Sequence, residues 1–446
     1  MNLLHNRNYL LLRFAWSISS FGTQVQSFAF SLYVLSVTGS AMQFSVTLCM
    51  QVLPYILFAP FSGFIADRFN RKIQVILYDG LSAVIVLGLL LLHRVTGGLP
   101  VPIIYASVFA LSSVEAFFSA TAACLLQAAV DPADYIKQKS VDTTVSSLVT
   151  ICVPAVAGVL YNFFGLTAVL IINILSFLVS AGMEGMIHLP SYRPDSPSAS
   201  AASFFSSIRY GFQYIRRSVF IRSFLLVLSA LNFILAGTDI GLMTVSQNLM
   251  RLSPAMIGVE NSVISVGTLA SAVLCAFLNK KISGIRIRSV ISIVVLTNCA
   301  AFLLIGLWLK TVYHFYPLFI NVLIFMILNL IIVVSNGFLS ITLSAQFQNH
   351  VPNDMMGRIV SFVNAALLTS TPLGEVVSGL MLSKFESSFA YFVNGALCAA
   401  LLALCRFSRI QEPVAQNAPN KPVIPAERQK SHTIEKKNPV EPERYE

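Results

Sequence analysis

Charged side chains are scarce in this chain: Asp, Glu, Lys and Arg make up 11% of 446 residues, against about a quarter in soluble domains. With 56% hydrophobic residues and a mean hydropathy of +0.76, that scarcity excludes a soluble globular protein and indicates a chain that crosses a bilayer many times. Cysteines spaced as CxxC are also lacking, as is any histidine at metal-ligand spacing from a cysteine. Cys49, Cys124, Cys152, Cys275, Cys299, Cys398 and Cys405 all lie within or beside apolar runs, so they are expected to pack, with neither a disulfide nor a zinc site. No loop offers a nucleophile beside a base, a metal cluster or a phosphate cradle, so no enzyme activity and no cofactor are expected. The pair Asp131 and Asp134 falls in a short interhelical loop, where helix capping is the default role.

What the chain does have is a series of long apolar stretches. They run over residues 9–37, 42–66, 74–93, 101–127, 141–163 and 166–187, then 219–249, 254–279, 289–309, 316–347, 357–382 and 387–407. Each is near or above the ~20 residues that a helix needs to cross the hydrocarbon layer. The fold class expected is an all-α membrane protein of 12 transmembrane helices. The first stretch is too long for a signal peptide and has no small-residue cleavage site, so it is kept as a mature helix. At Leu189 the composition turns polar, and Phe204, Phe205, Ile208, Phe212 and Ile215 then stand against Arg209, Arg216 and Arg217, as in a helix lying on a membrane surface. The expected organisation is a six-helix half over 1–188, an amphipathic linker over 189–218, a second half over 219–408 and a disordered tail over 409–446. The halves are weakly repeated: Leu126-Gln127 matches Phe347-Gln348, and Gly158 matches Gly379, both at an offset of 221 residues.

The net charge of +10 is explained by its distribution. With the N-terminus inside, only Arg94, Arg251, Lys310 and Lys384 fall outside, and the other 25 of the 29 Lys and Arg residues fall inside. The partner of this excess is then the anionic lipid surface of the bilayer rather than a nucleic acid. Both termini are placed in the cytoplasm.

Polar residues within the apolar stretches are costly, so the face they occupy is informative. In the first, Ser17, Ser20, Gln24, Ser27 and Ser31 recur at three- and four-residue steps and share a face. The fourth has Ser112, Glu115, Ser119 and Ala122, the seventh Asn232, Asp239 and Ser246, and the tenth Asn329, Asn336, Ser340 and Ser344. Glu115 stands near the middle of its span, where ionisation is most costly unless a cation approaches, the property required of a proton carrier. Asp239 and Glu375 are further candidates. Asp79 and Glu184 read as structural groups, Glu260 as a residue near the outer surface, and Arg13 as a headgroup anchor.

Between the second and third stretches lies the dense segment Gly63-Phe64-Ile65-Ala66-Asp67-Arg68-Phe69-Asn70-Arg71-Lys72, which can only be a tight aqueous turn. Its order of residue types resembles the loop signature of the major facilitator superfamily of secondary transporters. With Thr38-Gly39-Ser40-Ala41, Leu53-Pro54-Tyr55 and the segment from Gln348 to Arg358, it most resembles the bacterial macrolide-efflux-type drug:proton antiporter permeases, over about residues 5–410. The resemblance implies two pseudo-symmetric halves that work by alternating access, with the first helix of each three-helix unit (spans 1, 4, 7 and 10) lining a central cavity. It also implies a conformational latch in which Gly63 permits a close approach to helix 11 while Asp67, Arg68 and Arg71 meet the end of that helix near Arg358. The chain departs from the antiporter pattern in three places. Span 4 carries Glu115 where an Arg is common, span 5 keeps only Val153-Pro154-Ala155-Val156-Ala157-Gly158, and the second-half loop Asn279-Lys280-Lys281-Ile282-Ser283-Gly284 has no Asp.

The function expected is therefore export of a small amphipathic, drug-like or macrolide-like molecule, coupled to protons, by a monomer in a bacterial cytoplasmic membrane. The substrate and proton pathway is expected at Glu115, Asp239, Glu375, Gln24, Asn232 and Asn336, with aromatic walls from among Phe14, Trp16, Phe30, Phe109, Phe117, Phe118 and Phe233. A lipid, siderophore or metabolite exporter is the alternative within transport, and a sensor or scaffold acting through residues 412–446 is the alternative outside it.

Overall fold

In a computed structural model of the chain, residues 6–131, 134–188, 219–282, 287–350 and 356–407 are described. They are almost wholly helical and contain no strand. The expected amphipathic linker and tail lie outside the described residues, as does the second-half loop from Ser283 on, its first four residues Asn279 to Ile282 ending a helix.

The first half comprises α1 (Arg7–Thr38), α2 (Ala41–Arg68), α3 (Arg71–Thr96), α4 (Val101–Ala128) and a continuous element Tyr135–Gly185. Gly165 breaks that element with φ 68° and ψ −174°, a backbone conformation that residues with a Cβ rarely adopt. Its two parts, 135–164 and 166–185, are α5 and α6. The second half comprises α7 (Val219–Thr244), α8 (Pro254–Ile282), α9 (Ile287–Leu307), α10 (Leu318–His350), α11 (Met356–Lys384) and α12 (Ser387–Phe407). A π-helical turn, Val245–Leu249, extends α7.

Local chemistry sets the boundaries. Gly39 and Gly97 close α1 and α3 in the left-handed conformation, the usual glycine C-cap. The Ser40 side chain accepts from the Gln43 backbone N–H at the start of α2, and Asn70 accepts from the N–H groups of Lys72 and Ile73 at the start of α3. The dense polar segment is thus a two-residue turn, as its composition requires.

Nine stretches among the described residues are long and apolar enough to cross a membrane, one of them the 49 residues that contain α5 and α6. At ~1.5 Å per residue that stretch is long enough for two crossings. The helices α1 and α11 are not among the nine. Ser, Thr and Gln residues dilute α1, and Glu375 with several Ser and Thr dilute α11, and these polar side chains have somewhere other than lipid to point.

The halves are built alike. In the first, α1 packs on the α5–α6 element, α2 on α4, and α3 on the α5–α6 element; in the second, α7 packs on α11, α8 on α10 and α9 on α12. A Cβ on Gly22 of α1 would stand 2.6 Å from Asn173 Oδ1, and one on Gly237 of α7 would stand 2.7 Å from Asn394 Nδ2. Asn173 and Asn394 are 221 residues apart, the offset already visible in the repeat.

The halves meet closely at the end that carries the α1–α2 turn. A Cβ on Gly158 of α5 would be 2.4 Å from the Pro254 carbonyl oxygen of α8, and one on Gly258 would be 2.3 Å from the Pro154 carbonyl oxygen. A Cβ on Gly379 of α11 would stand 2.1 Å from Ser45 Oγ of α2. Gln247 donates to the Leu32 carbonyl at 3.4 Å and Asn248 to the Gly39 carbonyl at 3.0 Å. Leu32, Leu35, Ala41 and Phe44 of the first half also join the apolar core of the second. Toward the other end, which bears Arg68, Arg71 and Lys72, a Cβ on Gly63 would meet nothing within 4 Å among the described residues. Among those residues the bundle is therefore closed at one end, and the expected approach of Gly63 to helix 11 involves an end of that helix whose side chains lie outside them.

Because backbone atoms face Gly158, a larger side chain there can be accommodated only by moving α5 from α8. Gly158→Val should cost about 1–3 kcal/mol through overpacking and open the closed end. The check is labelling of a Phe44→Cys reporter in a cysteine-free background by an impermeant maleimide applied from that end. Unchanged labelling and an unchanged thermal midpoint would refute the assignment of this contact as the seal.

Candidate functional site

Between the halves lies a cavity of about 520 Å³. Its walls come from α1 (Ser20, Thr23, Gln24, Ser27, Phe28 and Ser31), α2 (Phe44, Leu48, Gln51 and Tyr55), α4 (Ser112 and Glu115) and α5 (Thr150, Val153 and Pro154). The second half contributes Asp239 and Met243 of α7, Asn261 and Ser265 of α8, and Glu375 of α11. Four of the six expected pathway residues, Gln24, Glu115, Asp239 and Glu375, are brought together here.

The other two are not. Asn336 of α10 bonds to Asn298 of α9, its Nδ2 donating to Asn298 Oδ1 at 3.3 Å and its Oδ1 accepting from Asn298 Nδ2 at 3.0 Å. Ser335 adds a bond to Asn298 Oδ1 at 2.8 Å. Asn336 of the α10 stripe is thus used to join two helices within a half, and among the described residues α10 contributes no lining residue to this cavity. Asn232 donates to the Leu228 carbonyl one turn back on α7. The described lining comes from α1, α2, α4, α5, α7, α8 and α11, a set that shares spans 1, 4 and 7 with the expected one.

Helices α2 and α8 carried a readable signal. Phe44, Leu48, Gln51 and Tyr55 fall at i, i+4, i+7 and i+11, and Asn261 and Ser265 at i and i+4, which places each group on one helix face. The aromatic expectation is corrected as well. Phe28, Phe44 and Tyr55 line the cavity, whereas Phe30 and Phe118 are buried in the cores of the first half and Phe117 packs against Tyr78 and Phe58.

The cavity's electrostatics are one-sided. Among the described residues, Glu115, Asp239 and Glu375 are its ionisable carboxyl residues and no Lys, Arg or His lines it. Glu375 is buried and close enough to Asp239 for the two to interact electrostatically, as Glu115 is to Asp79. Gln24 is held by donation from its Nε2 to Ser20 Oγ at 3.0 Å, and Cys49 Sγ reaches the Pro372 carbonyl of α11 at 3.4 Å. The described residues contain no group of three or more His, Cys, Asp or Glu that could hold a metal ion.

A second pocket, of about 680 Å³, lies nearer the end with the α2–α3 turn and shares Thr150 with the first. Its wall includes Arg13, Trp16, Gln138, Lys139 and Asp142. Arg13, expected at the headgroups, is instead buried. Its Nε lies 3.4 Å from Asp142 Oδ1, its Nη2 donates to the Asp142 carbonyl at 3.0 Å and to Ser146 Oγ at 3.3 Å, and its guanidinium stands 5.8 Å from the Trp16 ring centre. The Tyr9 hydroxyl also donates to Asp142. This cluster ties α1 to α5.

Of the expected latch, Arg71 Nε donates to the Ala66 carbonyl at 3.2 Å and Arg68 stands over the Phe64 ring at 4.7 Å. The side chains of Asp67 and Arg358 lie outside the described residues. Asp79 and Glu184 are buried within the first half, away from the cavity wall.

Removing one partner of a buried ion pair strands the other charge, at a cost of about 3–5 kcal/mol. Arg13→Ala should thus lower the thermal midpoint in detergent by more than the double substitution Arg13→Met with Asp142→Leu. Equal loss in the two variants would show that the pair contributes only packing.

The sequence model of the Major Facilitator Superfamily matches residues 14–374. Macrolide efflux protein A of Streptococcus pyogenes is 21% identical over 389 residues, covering 87% of this chain and 93% of that protein. An uncharacterized MFS-type transporter of Bacillus subtilis, YkuC, is 25% identical over 297 residues, covering 63% of this chain and 67% of its own length. Among solved structures, a bacterial homologue of the iron transporter ferroportin in an inward-facing state superposes with a TM-score of 0.65 at 16% identity, covering 91% of this chain and 99% of that one. The nucleoside transporter NupG superposes with a TM-score of 0.68 at 10% identity, covering 91% and 100%. These structural likenesses concern the fold, which is twelve helices in two halves around a central cavity. With the family match spanning most of its length, the chain belongs to the Major Facilitator Superfamily and is a membrane transporter.

Proposed function

We propose that the transporter exports an amphipathic small molecule bearing a positive charge, by alternating access and in exchange for protons. One observation carries this reading: three carboxyl residues on three helices face a cavity that no Lys, Arg or His among the described residues lines. A cation in that cavity supplies the counter-charge that an apolar surrounding denies to a carboxylate, and a proton does the same when the cation leaves. The two ligands then compete for one set of acids, and that competition is the coupling. Phe28, Phe44, Leu48 and Met243 offer apolar walls to the rest of the molecule. The macrolide efflux proteins of Streptococcus pyogenes and Enterococcus faecalis support the export of a bulky amphipathic compound.

Orientation follows from charge. Placing the Arg68, Arg71 and Lys72 end in the cytoplasm of a bacterial cell agrees with the positive-inside rule and puts both termini there. In that orientation the cavity of this conformation is closed toward the outside, and Gly158, Gly258 and Gly379 belong to the outer seal. The α2–α3 turn then acts on the cytoplasmic side, where Gly63, Asp67, Arg68, Arg71 and Arg358 form the latch once α2 closes on α11. The functional unit is a single chain with halves over 1–188 and 219–408.

Two outcomes test the reading. In inverted vesicles, accumulation of ethidium, a fluorescent amphipathic cation, and of a macrolide should require an inward-acid proton gradient and fall at least about tenfold in Glu115→Gln. Full gradient-driven uptake in that variant removes Glu115 from the coupling, and uptake indifferent to the gradient in the wild type refutes proton exchange. For the latch, Asp67→Asn should raise the labelling of the Phe44→Cys reporter from the cytoplasmic side, because the outward-facing state is weakened. No change in labelling or in flux would dismiss the latch.

A further inference from the structure

The antiparallel helices α5 and α8, which touch at the closed end, leave a gap between them further along. Gly158 and Gly258 bring their backbones into contact, and one turn beyond, the Ala155 backbone N–H donates to Ser262 Oγ at 3.0 Å. About two turns past that bond, the flank between the helices holds a groove of about 590 Å³, with Thr143, Thr144, Ser147 and Leu148 of α5 on one wall and Leu269 of α8 on the other.

This groove is not a blind notch. It shares Thr143 and Ser147 with the pocket that holds the Arg13 and Asp142 pair, and that pocket shares Thr150 with the acid-lined cavity. The three spaces join end to end, from the flank of the bundle to Glu115, Asp239 and Glu375, and Thr150 stands where the last two meet. Leu148 is 56% and Leu269 42% exposed, and both fall in stretches apolar enough to span a membrane, so the mouth of the groove faces lipid. With Lys139 at the headgroups, Thr143 and Thr150 lie about 6 and 16 Å deeper along α5. That range is the thickness of one leaflet of a ~30 Å hydrocarbon core.

The hydroxyls along the route are already committed as donors. Thr143 donates to the Lys139 carbonyl at 2.8 Å, Thr144 to that of Ser140 at 2.9 Å and Thr150 to that of Ser146 at 3.0 Å, while on α8 Thr268 donates to the Ser265 carbonyl at 2.6 Å. A hydroxyl bonded in this way has only lone pairs left to offer. These groups therefore accept from a passing molecule, which suits an ammonium or guanidinium and gives nothing to a carboxylate or phosphate. Among the described residues, the charged groups on the route before the cavity are Lys139, at its headgroup end, and Arg13 with Asp142, whose charges cancel.

We propose that the gap between α5 and α8 is a lateral portal through which an amphipathic cation dissolved in the inner leaflet enters the cavity, with Thr150 as its threshold. Such a cation gathers in an anionic leaflet, so the portal draws on a local concentration above that of the cytoplasm. The portal rests on the cationic-substrate reading above, and the first arm of its test needs neither a gradient nor transport.

Thr150→Cys is placed in a cysteine-free background, and inverted vesicles are treated with N-dodecylmaleimide, which resides in the bilayer, or with a sulfonated, water-soluble maleimide. Thr144→Trp together with Leu269→Trp then fills the groove from both walls, at positions outside the cavity. The lipid-borne reagent should now label the Thr150→Cys thiol at least about tenfold more slowly. The water-soluble reagent should keep its rate, which also shows that the variant is folded. Lipid-borne labelling at its former rate, or a loss shared equally by both reagents, overturns the portal. The second arm is ethidium uptake by vesicles that carry Thr144→Trp with Leu269→Trp and the native cysteines, which should fall at least about tenfold. Gradient-driven uptake at the wild-type level overturns the portal while leaving coupled export standing. Uptake by the wild type that is absent or indifferent to the gradient removes the coupled-export reading, and selective loss of lipid-borne labelling then keeps the portal.

Discussion

The contact on which the rest of this structure depends is the meeting of helix backbones at the closed end, α5 on α8 and α11 on α2. Gly158 and Gly258 let the two backbones touch, with Pro254 and Pro154 carbonyl oxygens where side chains would stand, and Gly379 does the same against Ala41 and Ser45. In a bilayer there is little hydrophobic gain from pressing one helix on another, so close packing of small residues carries the association. Among the described residues the seal lies at one end, and the cavity is the space between the halves beyond it. The same contact brings polar residues of α1, α2 and α4 opposite the acids of α7 and α11.

The relation of Gly158 to Gly379 illustrates what the sequence can and cannot disclose. Their common offset is visible in the chain, but as a repeat signal it is faint. In the structure the two occupy equivalent places, each on the fifth helix of its half and each against the second helix of the other half. A twofold-related interface needs the same small residue at two places, so the repeat was preserved where packing is tightest. Gly22 and Gly237, set against Asn173 and Asn394, follow the same logic inside each half.

The acids of the site were legible because a carboxyl in an apolar stretch is costly and therefore has a use. The helix set was not, since an Asn or Ser on a helix face looks the same whether it borders water or bonds to a neighbour. Asn336 turned out to bond Asn298, 38 residues away, whereas Gln51 and Asn261, equally polar, face the cavity. Arg13 was misjudged for a related reason: its partner Asp142 stands 129 residues further on, and nothing local announces the pair.

The two ends of the bundle are held by different forces. Among the described residues, the closed end relies on backbone contact, amide side chains and apolar packing, none of which responds much to ionic strength. At the opposite end charged groups hold the chain: Lys72 donates to the Gly185 and Ile187 carbonyl oxygens and Arg71 to the Ala66 carbonyl oxygen. Fields of partly exposed charges are screened over about one Debye length, ~8 Å in physiological salt. Ionic strength is therefore a lever on one end of the bundle and not on the other.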